Sequence, residues 1–367
     1  MSRIASKRLF YGYFFLGVFT LMCYHIYGIE ISMRFLWGLL VYLIASYAIY
    51  WVFSSLFKWE AVGFFHFFVV YVYKVSVFLS VILLLGGGFM YYQNDIHPSK
   101  MPLYTLSNGE KTIKFQAMSH IGRKSFYRKV ELDISRAKTA GYVLFYEWVR
   151  PGTEANKAIF DAALWVQITP ELYESFSKLY WVDMQENEDF LGIKNNLDFN
   201  IDLSIDEIVE LYLKKFPSKK NEIKQLQEND SILSHFWKED ITQDSSNLTM
   251  ELLKRLSEKD DKQLLVLRYV NKSMLNFIIK HEGLRNFIIE KIGKPDIFSV
   301  ILDDRNVHIV EEIEKSEHKK IFIIYGLMHF EWILHILQKS DPRWEIIETK
   351  YKYPITLPAE LPYIFSQ

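Results

Sequence analysis

The run KFQAMSHIG (114–122), RKSFYRKVELDISRAKTA (123–140) and GYVLFYEWVR (141–150) decides the fold. Its first piece is a short apolar run that ends on Ser119-His120. The second mixes Phe126, Val130, Leu132, Ile134 and Ala137 with charged residues, the pattern of an amphipathic helix. Gly141 stands where such a helix needs a C-cap residue tolerant of the left-handed conformation. Tyr142 to Tyr146 is an apolar run too short for a helix, and Glu147 follows it. The whole reads as strand–helix–strand, of about the 30 residues such a unit needs. His120 and Glu147 then lie at the carboxyl ends of two strands, the edge where open α/β sheets bind ligands.

Outward from this unit the chain divides by charge. Between residues 9 and 92 the only charged side chains are Glu30, Arg34, Lys58, Glu60 and Lys74. Three apolar stretches there, about 9–29, 35–57 and 62–92, each meet the roughly 20 residues that a membrane span needs. The sequence therefore predicts a membrane anchor over 1–97 with three transmembrane helices, and a soluble domain over 98–367. Lys74 has no intramembrane acid to pair with and is read as snorkelling to the headgroups. Arg3, Lys7 and Arg8 precede the first span, and by the positive-inside rule three spans put the soluble domain outside the cytoplasm. The net charge of -1 offers no basic surface of the kind nucleic-acid partners need. Cys23 is the single cysteine, which excludes an intrachain disulfide and a zinc site built on several cysteines.

The soluble part is predicted to be α/β, a mixed sheet with a long helical insertion. Met101–Thr105 and Thr112–Ala117 flank Asn108-Gly109, a strong hairpin signal. Residues 153–300 read as helical: Thr169-Pro170-Glu171 as a helix start, Ser204 with Glu207 as a capping box. A charged helical segment over 214–244 and a helical run over 252–290, broken near Gly283, complete it. Asp304-Arg305-Asn306 opens a further helix. Ile321–Tyr325 is a buried strand that delivers Gly326-Leu327-Met328-His329, and 344–351 alternates like an edge strand.

Four of these pieces, AMSHIG (117–122), YEWVRPG (146–152), DDRN (303–306) and YGLMH (325–329), together resemble the TraB/GumN family. The Tiki proteins are related to it, and the erythromycin-esterase and ChaN-like group more distantly. The second histidine motif is intact from Gly326 to His329; the first has Ala117 where the family has glycine. The resemblance implies that His120, Glu147 and His329 converge, with Arg150, Arg305 and Tyr325 nearby. Two imidazoles and a carboxylate suit a divalent ion of the manganese, cobalt or zinc type, which acidifies a bound water or polarises a carbonyl. Arg150 and Arg305 would orient substrate, and Tyr325 would donate to a developing oxyanion. The expected function is a membrane-anchored, metal-dependent hydrolase acting on a peptide or peptide-like substrate outside the cytoplasm. The alternative is a binding protein that sequesters a secreted peptide without turnover.

Overall fold

The structure, a computed structural model, describes residues 10–12, 14, 15, 17, 18, 21, 29–57, 63–164, 177–185, 191, 197–218, 261–292 and 295–359. Two compact units result: 1–92 with 259–270, and 93–258 with 271–367. The boundary expected after residue 97 thus falls at 92, and a short segment from the insertion joins the first unit.

In the first unit, helix α1 (Ile29–Leu56) packs on helix α2 (Phe64–Tyr91) through aromatic rings. Tyr47 meets Phe64 edge-on at 5.0 Å and Tyr50 stacks on Phe67 at 5.2 Å. Three spans are not supported. Among the described residues one helix, His66–Ile96 (31 residues), is long and apolar enough to cross a membrane. In α1 the apolar stretch found among the described residues is shorter, Leu40–Leu56. Most of the first expected span lies outside the described residues. The long helix exposes Phe78, Leu84 and Leu85, each at least 65% accessible, so its apolar surface is not a soluble core.

The second unit is a mixed α/β domain around a six-stranded sheet in the order β6-β4-β7-β2-β1-β8. The hairpin β1 (Met101–Ser107) and β2 (Thr112–Met118) forms as its Asn-Gly turn predicts, with Gly109 at φ +87°. Residues Ile121–Gly122 (β3) lead into α3 (Lys124–Thr139), which ends on Gly141 at φ +82°. A side chain in that left-handed conformation is strained, which is why glycine stands there. Next come β4 (Val143–Tyr146), α4 (Glu154–Leu164), the two-residue β5 (Asp183–Met184) and β6 (Asp198–Asn200). The insertion is therefore not purely helical: it supplies one edge of the main sheet. Its helices are α5 (Ile205–Lys215), α6 (Asp261–Lys280), α7 (Glu282–Ile292) and α8 (Pro295–Ser299). Ser204 and Glu207 form the capping box, while the helix break falls at His281 and Gly283 lies inside α7. The helix start at Thr169-Pro170-Glu171 and the charged run beyond residue 218 lie outside the described residues. Helix α9 (Arg305–Lys315), strand β7 (Lys320–Gly326), a 3-10 turn (Leu327–His329), α10 (Phe330–Ser340) and edge strand β8 (Glu345–Lys352) complete the domain.

Four adjacent strands, β6, β4, β7 and β2, run parallel, and β1 and β8 are antiparallel to their neighbours. Every residue of β4, and Ile321 to Tyr325 of β7, is buried, as parallel strands are when both faces are covered. Phe126, Val130 and Ile134 of α3, Ile309 and Ile313 of α9, and Phe330, Ile333 and Leu337 of α10 supply that cover. Each fully buried side chain of this kind stabilises by about 1.5–3 kcal/mol.

An exposed apolar helix of 31 residues predicts that the full chain stays with membranes through alkaline carbonate washing. Recovery in the wash supernatant would show that the helix only folds against other protein.

Candidate functional site

Because the four central strands are parallel, their carboxyl ends share one edge of the sheet, and each end delivers a polar residue. β2 leads to His120, β4 to Glu147, β6 to Asp202, and β7 to Gly326 and then His329. The register is tight: Met118 pairs with Gly326, and Glu147 N–H donates to the Ile324 carbonyl at 3.0 Å.

Arg305, at the start of α9, joins three of these ends. Its Nε donates to Asp202 Oδ1 at 2.9 Å, and its Nη2 donates to Asp202 Oδ2 at 2.6 Å and to Glu147 Oε1 at 3.0 Å. Tyr325 Oη donates to the same Asp202 Oδ1 at 3.2 Å, and the guanidinium carbon lies 5.4 Å from the Tyr325 ring centre. All four side chains are at most 10% accessible. Burial by itself lowers the basicity of Arg305, but Tyr325, Glu147 and Asp202 outweigh it and hold the guanidinium charged well above its ordinary range. The Tyr325 phenol is pushed up, by burial first, so it stays neutral.

Glu147 Oε2 is held separately, accepting from Gly326 N–H at 2.7 Å. A side chain at Gly326 would crowd this approach. A Cβ there would sit 3.3 Å from His329 Cδ2 and 3.4 Å from Glu147 Oε2, with His329 Nε2 at 3.9 Å. Both acceptor atoms therefore border the same point in space. His329 is 4% accessible, and its Nδ1 lies 2.7 Å from Asn306 Oδ1. An amide oxygen only accepts, so Nδ1 carries the proton and Nε2 keeps its lone pair. Burial, then the charges of Arg305 and His120, hold the imidazole neutral well below its usual range.

The predicted residues thus fall into two groups. Glu147, Arg305, Tyr325 and His329 are brought together. His120 stays exposed, its backbone carbonyl accepting from Gln185 N–H at 2.8 Å, but it lies near enough to His329 for its charge to act on that ring. Arg150 is turned elsewhere: its Nε donates to the Asp202 carbonyl at 3.0 Å and its Nη2 to Glu207 Oε2 at 2.7 Å, with the side chain 47% exposed. It stitches the loop after β4 to the capping box of α5, away from the Glu147 and His329 acceptor atoms. Arg305 and Tyr325 face Asp202 and have no open side toward a substrate. Asp202 itself is absent from the sequence-based site. Its signal was the alternation Leu197, Phe199, Ile201, Leu203 in LDFNIDLS, which marks a strand and places Asp202 just past its end.

The donor chemistry for a divalent ion is met at two positions, the neutral His329 with a free Nε2 and the Glu147 carboxylate. Among the described residues no group of three or more His, Cys, Asp or Glu is arranged to hold a metal. Glu147 is moreover already bonded to Arg305 and Gly326. Among the described residues the site brings together two acceptors, His329 Nε2 and Glu147 Oε2.

Two outcomes follow from the electrostatics. Arg305→Ala leaves two buried carboxylates without their counter-charge and is expected to cost about 3–5 kcal/mol. Arg150→Ala breaks a half-exposed pair and is expected to cost about 1 kcal/mol or less. Denaturant titration of both variants checks the contrast, and equal losses would contradict the assignment. The depressed folded-state basicity of His329 means that, below about pH 6.5, the unfolded chain binds a proton the folded chain refuses. His329 thus causes stability to fall with pH by up to about 1.4 kcal/mol per unit below that point, and His329→Gln should flatten the fall. Parallel stability profiles for the two proteins from pH 7.5 to 5 would refute a neutral His329.

No protein-family model matches the chain, and no curated protein or solved structure matches it either.

Proposed function

We propose that this chain is a membrane-anchored hydrolase, as its resemblance to the TraB/GumN family implies, acting on a peptide or peptide-like molecule. The reading rests on one observation: His329 Nε2 and Glu147 Oε2 border a single point at the carboxyl edge of a parallel sheet. A water donating to both atoms would present its oxygen lone pairs to a substrate carbonyl. The carboxylate or the imidazole then takes the proton as the oxygen attacks. Gly326, with no side chain, keeps the approach of the two acceptor atoms uncrowded. Arg305 acts through Glu147 rather than on substrate, by fixing Oε1 so that Oε2 is left on the side of Gly326 and His329. The exposed 31-residue helix supports membrane anchoring; the basic residues Arg3, Lys7 and Arg8 favour a cytoplasmic N-terminus, and an odd number of spans then carries the domain outside the cytoplasm.

One observation favours a second reading, sequestration of a peptide without turnover. The two donors expected to stabilise an oxyanion, Arg305 and Tyr325, are both buried against Asp202. A site with acceptors and no exposed oxyanion donor binds N–H groups well and stabilises a tetrahedral intermediate poorly.

The two readings separate with Glu147→Gln and His329→Gln, assayed against a peptide library in detergent-solubilised full-length protein. Under the hydrolase reading each variant loses cleavage by about 100-fold or more, the scale of a lost general base, and still melts cooperatively. Wild-type protein that retains library peptides intact, with retention lost in the same variants, would instead establish sequestration. Cleavage unchanged in both variants would remove this edge from the chemistry.

A further inference from the structure

A second polar constellation lies in the same unit, on the far side of the turn that carries His329. Helices α7 and α10 line a half-open cavity of about 370 Å³, within the size range of small-molecule pockets. Its apolar wall is built by Met328, Phe330 and Tyr104, the last two stacked at 3.7 Å between ring centres. Its polar lining is Asn286, His335 and three charged side chains, Arg285, Glu282 and Glu331.

These three charges are not matched to one another. Arg285 donates one N–H to the Ile279 carbonyl, and its Nε is buried with no partner. Burial lowers its basicity, and Glu282 and Glu331 oppose this only through space. Both carboxylates are exposed, and among the described residues neither forms an ion pair with the guanidinium. A folded protein ordinarily closes such a triad on itself, since an unsatisfied desolvated donor costs about 1–3 kcal/mol. Held apart around a cavity, the triad presents a site for a carboxylate at Arg285 and a site for a cation at Glu282 and Glu331. The aromatic wall beside them accepts an apolar group.

We propose that this cavity binds a small zwitterion, a free amino acid with an apolar or aromatic side chain. Its carboxylate pairs with Arg285, its ammonium group with Glu331 and Glu282, and its side chain packs on Phe330 and Tyr104. An anion alone meets two repelling carboxylates, and a cation alone meets the guanidinium; a ligand bearing both satisfies all three. The inference stands independently of turnover at His329 and Glu147.

Calorimetry on the detergent-solubilised full chain tests it with L-phenylalanine, N-acetyl-L-phenylalanine and L-phenylalanine amide. The free amino acid is expected to bind, and each blocked form to bind at least about tenfold more weakly, the worth of one charge-assisted hydrogen bond. Glu331→Gln, an exposed change, should weaken phenylalanine and leave the amide-to-acid preference intact. Arg285→Gln should erase that preference. Equal binding of all three compounds would reduce the cavity to an apolar pocket, and no binding of phenylalanine at millimolar concentration would overturn the proposal. Binding is read without turnover, so an inactive protein that binds phenylalanine rejects the hydrolase reading alone.

Discussion

One guanidinium ties the carboxyl edge of the sheet together. Arg305 reaches Asp202 beyond β6 and Glu147 beyond β4, and its own helix opens just ahead of β7. Two carboxylates that close repel each other, and without a buried cation the strand ends would splay or take up protons. With it, Glu147 Oε1 is fixed, and Oε2 is left to meet Gly326 N–H and the point bordered by His329. The placement of the acceptor pair depends on the closed ion pair behind it. A buried ion pair is weak evidence for stability and better evidence for a fixed geometry.

The sheet was largely legible in the sequence. Apolar runs bounded by Gly109, Gly141 and Gly326 located β2, β4 and β7, and the common edge of His120, Glu147 and His329 followed from parallel pairing. What escaped was the contribution of the insertion. β6 has three residues, and helical signals on both sides of it, Thr169-Pro170 and the Ser204 capping box, masked a strand whose alternation runs from Leu197 to Leu203. Asp202 was lost with it. Nor does sequence tell Arg150 from Arg305, since each follows or opens an element at the same edge. Only the long-range pairing of β6 with β4 decides that one is buried against two carboxylates and the other half-exposed on Glu207.

The anchor shows the same limit in reverse. Composition reads three spans in residues 9–92; among the described residues one helix, His66–Ile96, is long and apolar enough to cross a membrane, and most of the first expected span lies outside them.

The account turns on the state of one side chain: His329 neutral, protonated on Nδ1 by its bond to Asn306, with Nε2 open beside Glu147. Nitrogen-15 NMR of the histidine side chains, with His329 assigned through its Gln variant, reads this directly. The account predicts a pyrrole-like Nδ1 and a pyridine-like Nε2 that hold unchanged from pH 8 down through the range where ordinary histidines titrate. An Nε2-protonated ring, or titration near pH 6.5, would contradict it.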